Sequence, residues 1–113
     1  MNIYLICPVR GCDAKTLEDI ERLVKQMEGE GDTVHWPHRD APQSDPTGIE
    51  ICRTHLDAMK KADEVRVVWD VESKGSHFDL GMAYALGKQV RPLWPVRPDG
   101  AEKSYWKVMC ALG

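Results

Sequence analysis

The chain has 113 residues, a formal net charge of −3, and a composition that is 42% hydrophobic and 29% charged. This length fits one domain of about 100–150 residues, and the composition is typical of a folded chain rather than a disordered one. The acidic charge argues against a nucleic-acid polymer as partner, and the apolar stretches are far shorter than the ~20 residues that span a bilayer, so no membrane contact is expected.

The first eight residues show neither a basic segment nor a long apolar segment, so no signal peptide is expected and a cytoplasmic location is predicted. The four cysteines form no Cys-x-x-Cys pair and are expected to be free thiols, with Cys7 and Cys52 as small core residues. His35 and His38 are the only closely spaced pair of zinc-ligand type, which is a weak signal. No metal or organic cofactor is predicted.

Short apolar runs alternate along the chain with stripes of helical period. In chain order, the pattern predicts strand 2–7, helix 14–29, strand 33–36, helix 47–62, strand 64–69, helix 77–87, strand 89–94 and helix 101–111. The predicted buried face of the second helix carries Ile49, Cys52, Leu56 and Met59. Pro92 within the last strand favours an edge position in the sheet.

The alternation of strands and helices predicts one α/β domain over residues 1–113. With right-handed crossovers, it forms a flavodoxin-like or Rossmann-like parallel sheet of four to five strands, with helices on both faces. In such folds, ligands bind beyond the carboxyl ends of the strands. This rule selects three loops as places to look for chemistry, namely residues 7–13, 36–48 and 70–79.

The first of these loops contains Arg10 and Gly11. The guanidinium of Arg10 presents donors in a fork that suits a pair of anionic oxygens, and Gly11 lets a ligand approach the backbone closely. From this loop alone, a solvent-facing arginine beside a turn glycine is the favoured interpretation.

The third loop opens a helix with Ser73, Gly75 and Ser76. Free N–H groups at a helix N-terminus and two serine hydroxyls predict an anion-binding site. Asp79 follows one turn later, where a carboxylate could act as a nucleophile or stabilise a developing cation. Ser76 and Asp79 also fit a capping box with Ser76 as the N-cap, and the two interpretations are equally supported.

Further candidates lie near the same edge of the predicted sheet. His38 and Asp70 follow the second and third strands on the ligand side, and Asp70 is a candidate partner for a sugar hydroxyl. His55 lies inside a helix, where a histidine is more often packed than catalytic. Three tryptophans that end predicted strands could stack on a base or cap the hydrophobic core, and these are Trp36, Trp69 and Trp94.

Two stretches of the sequence carry a family resemblance. Ile-Tyr-Leu at 3–5, and Gly-Ser-His-Phe-Asp-Leu-Gly at 75–81 followed by a small-residue helix to Gly-Lys at 87–88, resemble the nucleoside 2-deoxyribosyltransferase superfamily. The resemblance covers residues 2 to 94. Val-Arg-Gly at 9–11 and Ser73 resemble the branch that hydrolyses 2′-deoxynucleoside 5′-monophosphates.

This resemblance implies cleavage, or transfer, at the N-glycosidic bond of a nucleotide or nucleoside, with a 2′-deoxynucleoside 5′-monophosphate as the implied substrate. It implies a homodimer, Asp79 as the nucleophile and Tyr4 as the residue that places its carboxylate, while His55 occupies the position of a residue that contacts the leaving base. The implied substrate-binding residues are Arg10, Gly11, Ser73, Gly75, Ser76, His38 and Asp70.

Two residues depart from the family pattern. The family has glutamate where this chain has Asp79, and aspartate where it has His55. Histidine can still act as a general acid. The departures leave two alternatives, a nucleotide-binding module without catalysis and a glycosidase that acts on NAD or a signalling nucleotide.

Overall fold

Four parallel strands form the centre of the protein. The computed structural model describes residues 1–9, 12–41, 44–93 and 104–112. Its strands are β1 (Asn2–Ile6), β2 (Thr33–His35), β3 (Glu64–Val67) and β4 (Val90–Pro92). Their order in the sheet is β2-β1-β3-β4, and every neighbouring pair is parallel. The predicted α/β class and parallel sheet are therefore confirmed, and Pro92 lies in an edge strand of the described sheet.

The described helices connect these strands. They are α1 (Ala14–Gly29), α2 (Pro37–Asp40), α3 (Ile49–Lys61), α4 (Lys74–Ala85) and α5 (Tyr105–Leu112). The short helix α2 was not predicted, because proline, histidine and arginine in a polar stretch were interpreted as a loop. Residues 94 and 101–103, which the sequence placed in the last strand and last helix, lie outside the described residues.

The sheet has a core layer on each face, as expected for helices on both sides. On one face, α1 packs Ile20, Val24 and Met27 against the side chains of β1 and β2. On the other face, buried residues of α3, α4 and α5 cover the sheet, among them Met59, Leu80 and Trp106. Successive residues of β1 alternate between these layers, so Ile3 and Leu5 face α1 while Tyr4 and Ile6 face the other helices.

The predicted buried face of α3 was partly wrong. Ile49 is 53% exposed and Cys52 is also exposed, whereas Met59 is fully buried. The inward stripe runs instead through His55 and Met59, because the His55 ring is held toward the sheet by a carboxylate of α4. Cys52 is therefore not a core residue, while Cys7 is buried as predicted.

Helix α4 begins three residues earlier than the predicted start at 77. Ser73 is its N-cap, and the Ser73 hydroxyl oxygen accepts the N–H of Ser76 at 3.2 Å. Capping by a serine satisfies one of the free N–H groups of the first turn. Ser76 thus lies inside the helix, and the predicted capping box with Ser76 as N-cap is wrong.

The end of β2 is fixed by a network of charged side chains. Asp40 accepts the backbone N–H of Trp36 at 2.9 Å. Arg39 donates two hydrogen bonds of 3.0 Å to Glu28 of α1 and one to the carbonyl of Val34. A paired arginine fork of this kind adds geometric specificity.

Among the described residues, no helix is long and apolar enough to cross a membrane.

Replacing Trp106 with alanine is expected to lower the free energy of unfolding by about 3–5 kcal/mol, because its 6% exposed ring stacks on Trp69 at 5.0 Å. Trp106→Phe is expected to cost less, since it keeps a ring and removes an indole N–H for which the described part of the chain offers no partner. Tyr105→Ala, at a 77% exposed site on α5, is the matched control. Equal losses for both alanine variants in urea denaturation would show that α5 does not dock through Trp106.

Candidate active site

The carboxyl group of Asp79 lies at the centre of a buried polar cluster. Asp79 is 5% exposed, and its Oδ2 accepts the hydroxyl of Tyr4 at 2.9 Å. Its Oδ1 lies 3.3 Å from Nδ1 of His55. The carboxylate therefore points away from the start of α4 and toward β1 and α3, so it does not cap its own helix. This leaves the nucleophile interpretation of Asp79 as a prediction that fits the geometry.

The sequence periodicity of α4 explains why this carboxylate is buried. The inward face of the helix carries Ser76, Asp79, Leu80 and Ala83, spaced by three, one and three residues. These positions fall on one side of an α-helix. Asp79 therefore faces the sheet beside Leu80, and Tyr4 on the neighbouring strand projects from the same sheet face.

Tyr4 is fully buried and is the hydrogen-bond donor of the cluster. Burial raises the pKa of the Tyr4 phenol well above its ordinary value, and the Asp79 charge raises it further. The phenol is consequently neutral throughout the physiological pH range. It keeps one oxygen of the carboxylate fixed, while His55 contacts the other.

His35 joins this cluster, although no local sequence pattern predicts its place there. Its ring centroid lies 5.0 Å from Tyr4 and 5.7 Å from His55, and the Tyr4 and His55 centroids are 5.9 Å apart. Burial lowers the pKa of His35, and the nearby His55 lowers it further. The signal that could have found it is register, because His35 pairs with Tyr4 across neighbouring strands and projects from the same face.

The predicted anion-binding serines are linked to each other. Ser76 is 1% exposed, and its hydroxyl donates to Ser73 Oγ at 2.8 Å. Gly75 lies in the first turn of α4, where an added Cβ would meet open space. Asp70 accepts the N–H of Glu72 at 2.9 Å, and its carbonyl accepts the N–H of Ser73, so it shapes the loop before α4.

Of the other predicted residues that the structure describes, His38 is not brought to Asp79. His38 is exposed, and its ring packs 5.2 Å from Trp36, which belongs to the core layer on the α1 side. Arg10, Gly11 and Trp94 lie outside the described residues. Trp36 is a core residue, while Trp69 stacks on Trp106 with its ring plane tilted by 5°.

The described part of the chain contains no set of side chains that could bind a metal ion. No group of three or more histidine, cysteine, aspartate or glutamate side chains there could hold a metal ion. His35 and His38, the pair noted in the sequence, project to different surroundings, one against Tyr4 and the other against Trp36.

No protein-family model and no curated protein sequence matches the chain. Solved structures do match its fold. A 2-deoxyribosyltransferase from the psychrotolerant bacterium Bacillus psychrosaccharolyticus shares 20% identity with a TM-score of 0.70, over 97% of this chain and 94% of that one. A CMP N-glycosidase from Clostridium botulinum shares 20% identity with a TM-score of 0.66, over 97% of this chain and 80% of that one. The chain thus shares the fold of a deoxyribosyltransferase and of an N-glycosidase.

The lowered pKa of His35 predicts a loss of stability in mild acid. Below its ordinary value of 6.5, the unfolded chain binds a proton that folded His35 resists, so stability falls as pH falls from 6.5. In His35→Phe this contribution disappears. Urea denaturation between pH 5 and 8 should show that the free energy of unfolding falls less for the variant than for the wild type as pH falls. Parallel curves for the two proteins would contradict the assignment.

Proposed function

We propose that the protein cleaves, or transfers at, the N-glycosidic bond of a nucleotide or nucleoside, with Asp79 as nucleophile. The observation that carries the proposal is the buried Asp79 carboxylate, held by Tyr4 on one oxygen and contacted by His55 on the other. The fold shared with a deoxyribosyltransferase and a CMP N-glycosidase supports it.

The proposed reaction has two steps. In the first, Asp79 Oδ1 forms a bond to the anomeric carbon, the carbon–nitrogen bond breaks, and its electron pair leaves with the base. The departing nitrogen takes a proton from Nδ1 of His55. In the second step, water or another base attacks the anomeric carbon, the bond from that carbon to Asp79 Oδ1 breaks, and the proton of the attacking group returns to His55.

Tyr4 has a distinct part in this scheme. Its hydroxyl holds Asp79 Oδ2 at 2.9 Å, so that one carboxylate oxygen is fixed while the other reacts. The raised pKa of the phenol keeps the donor proton on Tyr4 as charge on the carboxylate changes. Precise placement matters because a misplacement of ~1 Å can cost on the order of a hundredfold in rate.

The substrate class proposed is a 2′-deoxynucleoside 5′-monophosphate. Ser73 and the N-terminus of α4 offer donors for a phosphate, and Asp70 lies at the start of the same loop. Arg10 and Gly11 are proposed as further phosphate contacts on the basis of the sequence. Gly75, Ser76 and His38 complete the proposed set, with Ser76 acting through Ser73 because its hydroxyl donates to Ser73 Oγ. A cytoplasmic homodimer that needs no cofactor is proposed as the working form.

Asp79→Asn is expected to reduce release of free base from deoxynucleoside monophosphates by at least about 100-fold, because an amide is a poor nucleophile. Chromatography of the reaction products measures the base directly. Asp57→Asn, at an exposed aspartate of α3, is the matched control and should retain wild-type activity. Equal base release by wild type and Asp79→Asn would remove the nucleophile role from Asp79.

The alternatives give different results in the same assay. A binding module without catalysis would be stabilised thermally by a nucleotide, since a native-state ligand raises stability by about 2.7 kcal/mol at 100 times its Kd, but would release no base. A glycosidase acting on NAD or a signalling nucleotide would release nicotinamide or base from those substrates and not from the monophosphates. A panel that includes NAD therefore separates the three functions.

A further inference from the structure

Among the described residues, two buried imidazole nitrogens in the site find no hydrogen-bond partner, namely Nε2 of His35 and Nε2 of His55. A buried polar atom without a partner destabilises a fold, and such atoms are uncommon. An apolar ring at position 35 would pack against Tyr4 without this cost. An imidazole at position 35 is therefore not favoured by fold stability over an apolar ring. The buried Nε2 of His35 points instead to a role in the site.

The two unpartnered atoms belong to rings that touch. The centroids of His35 and His55 are 5.7 Å apart, and the ring planes are inclined at 79°. The two nitrogens are not hydrogen-bonded to each other in this structure. The relay needs a rotation of one ring that brings them to hydrogen-bond distance, and catalytic hydrogen bonds commonly tighten when substrate binds.

Such a partner completes the proton balance of the proposed reaction when His55 starts as the neutral imidazole. A neutral His55 that gives its Nδ1 proton to the departing base would be left as an imidazolate anion unless Nε2 gained a proton at the same time. His35 is the ring beside that nitrogen, and its lowered pKa keeps it neutral, with one proton to pass on.

We propose that His35 relays a proton through His55 to the leaving base, an inference that rests on the proposed function. His35 Nε2–H passes its proton to His55 Nε2, His55 Nδ1–H passes its proton to the base nitrogen, and His35 regains a proton from water at Nδ1. His35 does not touch substrate in this scheme, so it is a positioning and relay residue rather than a catalytic one.

The second step resets the relay. The attacking water gives a proton to His55 Nδ1, His55 returns its Nε2 proton to His35, and His35 releases its Nδ1 proton to water. Each ring ends with the proton it started with, and the net reaction consumes one water. The relay thus serves as general acid in the first step and general base in the second.

Two substitutions of His35 separate a relay from a simple contact. His35→Phe keeps a ring against Tyr4 but carries no transferable proton. His35→Gln keeps an N–H donor, but its amide proton cannot be transferred and then regained. Both are expected to lower kcat for base release by about 10-fold or more while KM changes less than about twofold. Val34→Ala, the neighbouring residue facing α1, is the control for a destabilised β2 and should keep its kcat.

Nitrogen-15 NMR of the histidine rings tests the pair without substrate. Wild-type His55 is expected to carry its proton on Nδ1, beside Asp79, and His35→Phe is expected to shift the Nε2 resonance of His55, whereas an unchanged resonance would contradict a pairing of the two rings. Full kcat in His35→Gln would overturn the relay and leave only a hydrogen bond, and full kcat in His35→Phe would overturn any role for the imidazole. A wild-type protein that releases no base from any nucleotide would overturn the proposed function, and the relay with it.

Discussion

The buried carboxylate of Asp79 sets the conditions that the surrounding structure must meet. A carboxylate removed from water is strongly destabilising unless polar partners replace its hydration. Here Tyr4 donates to one oxygen and His55 contacts the other. The two partners come from a central strand and from α3, while the carboxylate comes from α4. The cluster is therefore satisfied only when β1, α3 and α4 are all in place, which links the site to the order β2-β1-β3-β4.

The fold was predictable because local patterns and long-range packing agree. Alternating strands and helices predicted the parallel sheet, and a stripe of helical period predicted a helix over residues 14–29, where α1 is found. Where two local signals competed, the prediction failed. Ser73 and Ser76 can both cap a helix, and the earlier serine is the one that accepts an N–H. Nothing in the α3 periodicity distinguishes Cys52 from His55 as the inward residue, since the contact with Asp79 comes from another helix.

The site was less predictable because it depends on register between strands. Tyr4, Asp79 and His55 were expected from the sequence, yet His35 was not, since a histidine at the end of a three-residue strand has no local signature. Its place follows from two facts together, the pairing of β1 with β2 and the alignment of Tyr4 with His35. A one-residue slip would turn His35 toward α1 and bring Val34 against Tyr4. Register, rather than composition, selects this residue for the cluster.

The two departures from the pattern of the family that the sequence resembles are linked through one contact. With a glutamate at 79 and an aspartate at 55, that pattern sets two acidic groups at these positions. Here the atoms that meet are Asp79 Oδ1 and Nδ1 of His55, 3.3 Å apart, so an acceptor faces a ring that can donate. The imidazole replaces repulsion between like charges with attraction, and it can still exchange a proton. The carboxylate of Asp79 lies against Tyr4 and His55 in the interior. Replacing His55 alone with aspartate would isolate this contact, since the second carboxylate would face Asp79 with no donor between them.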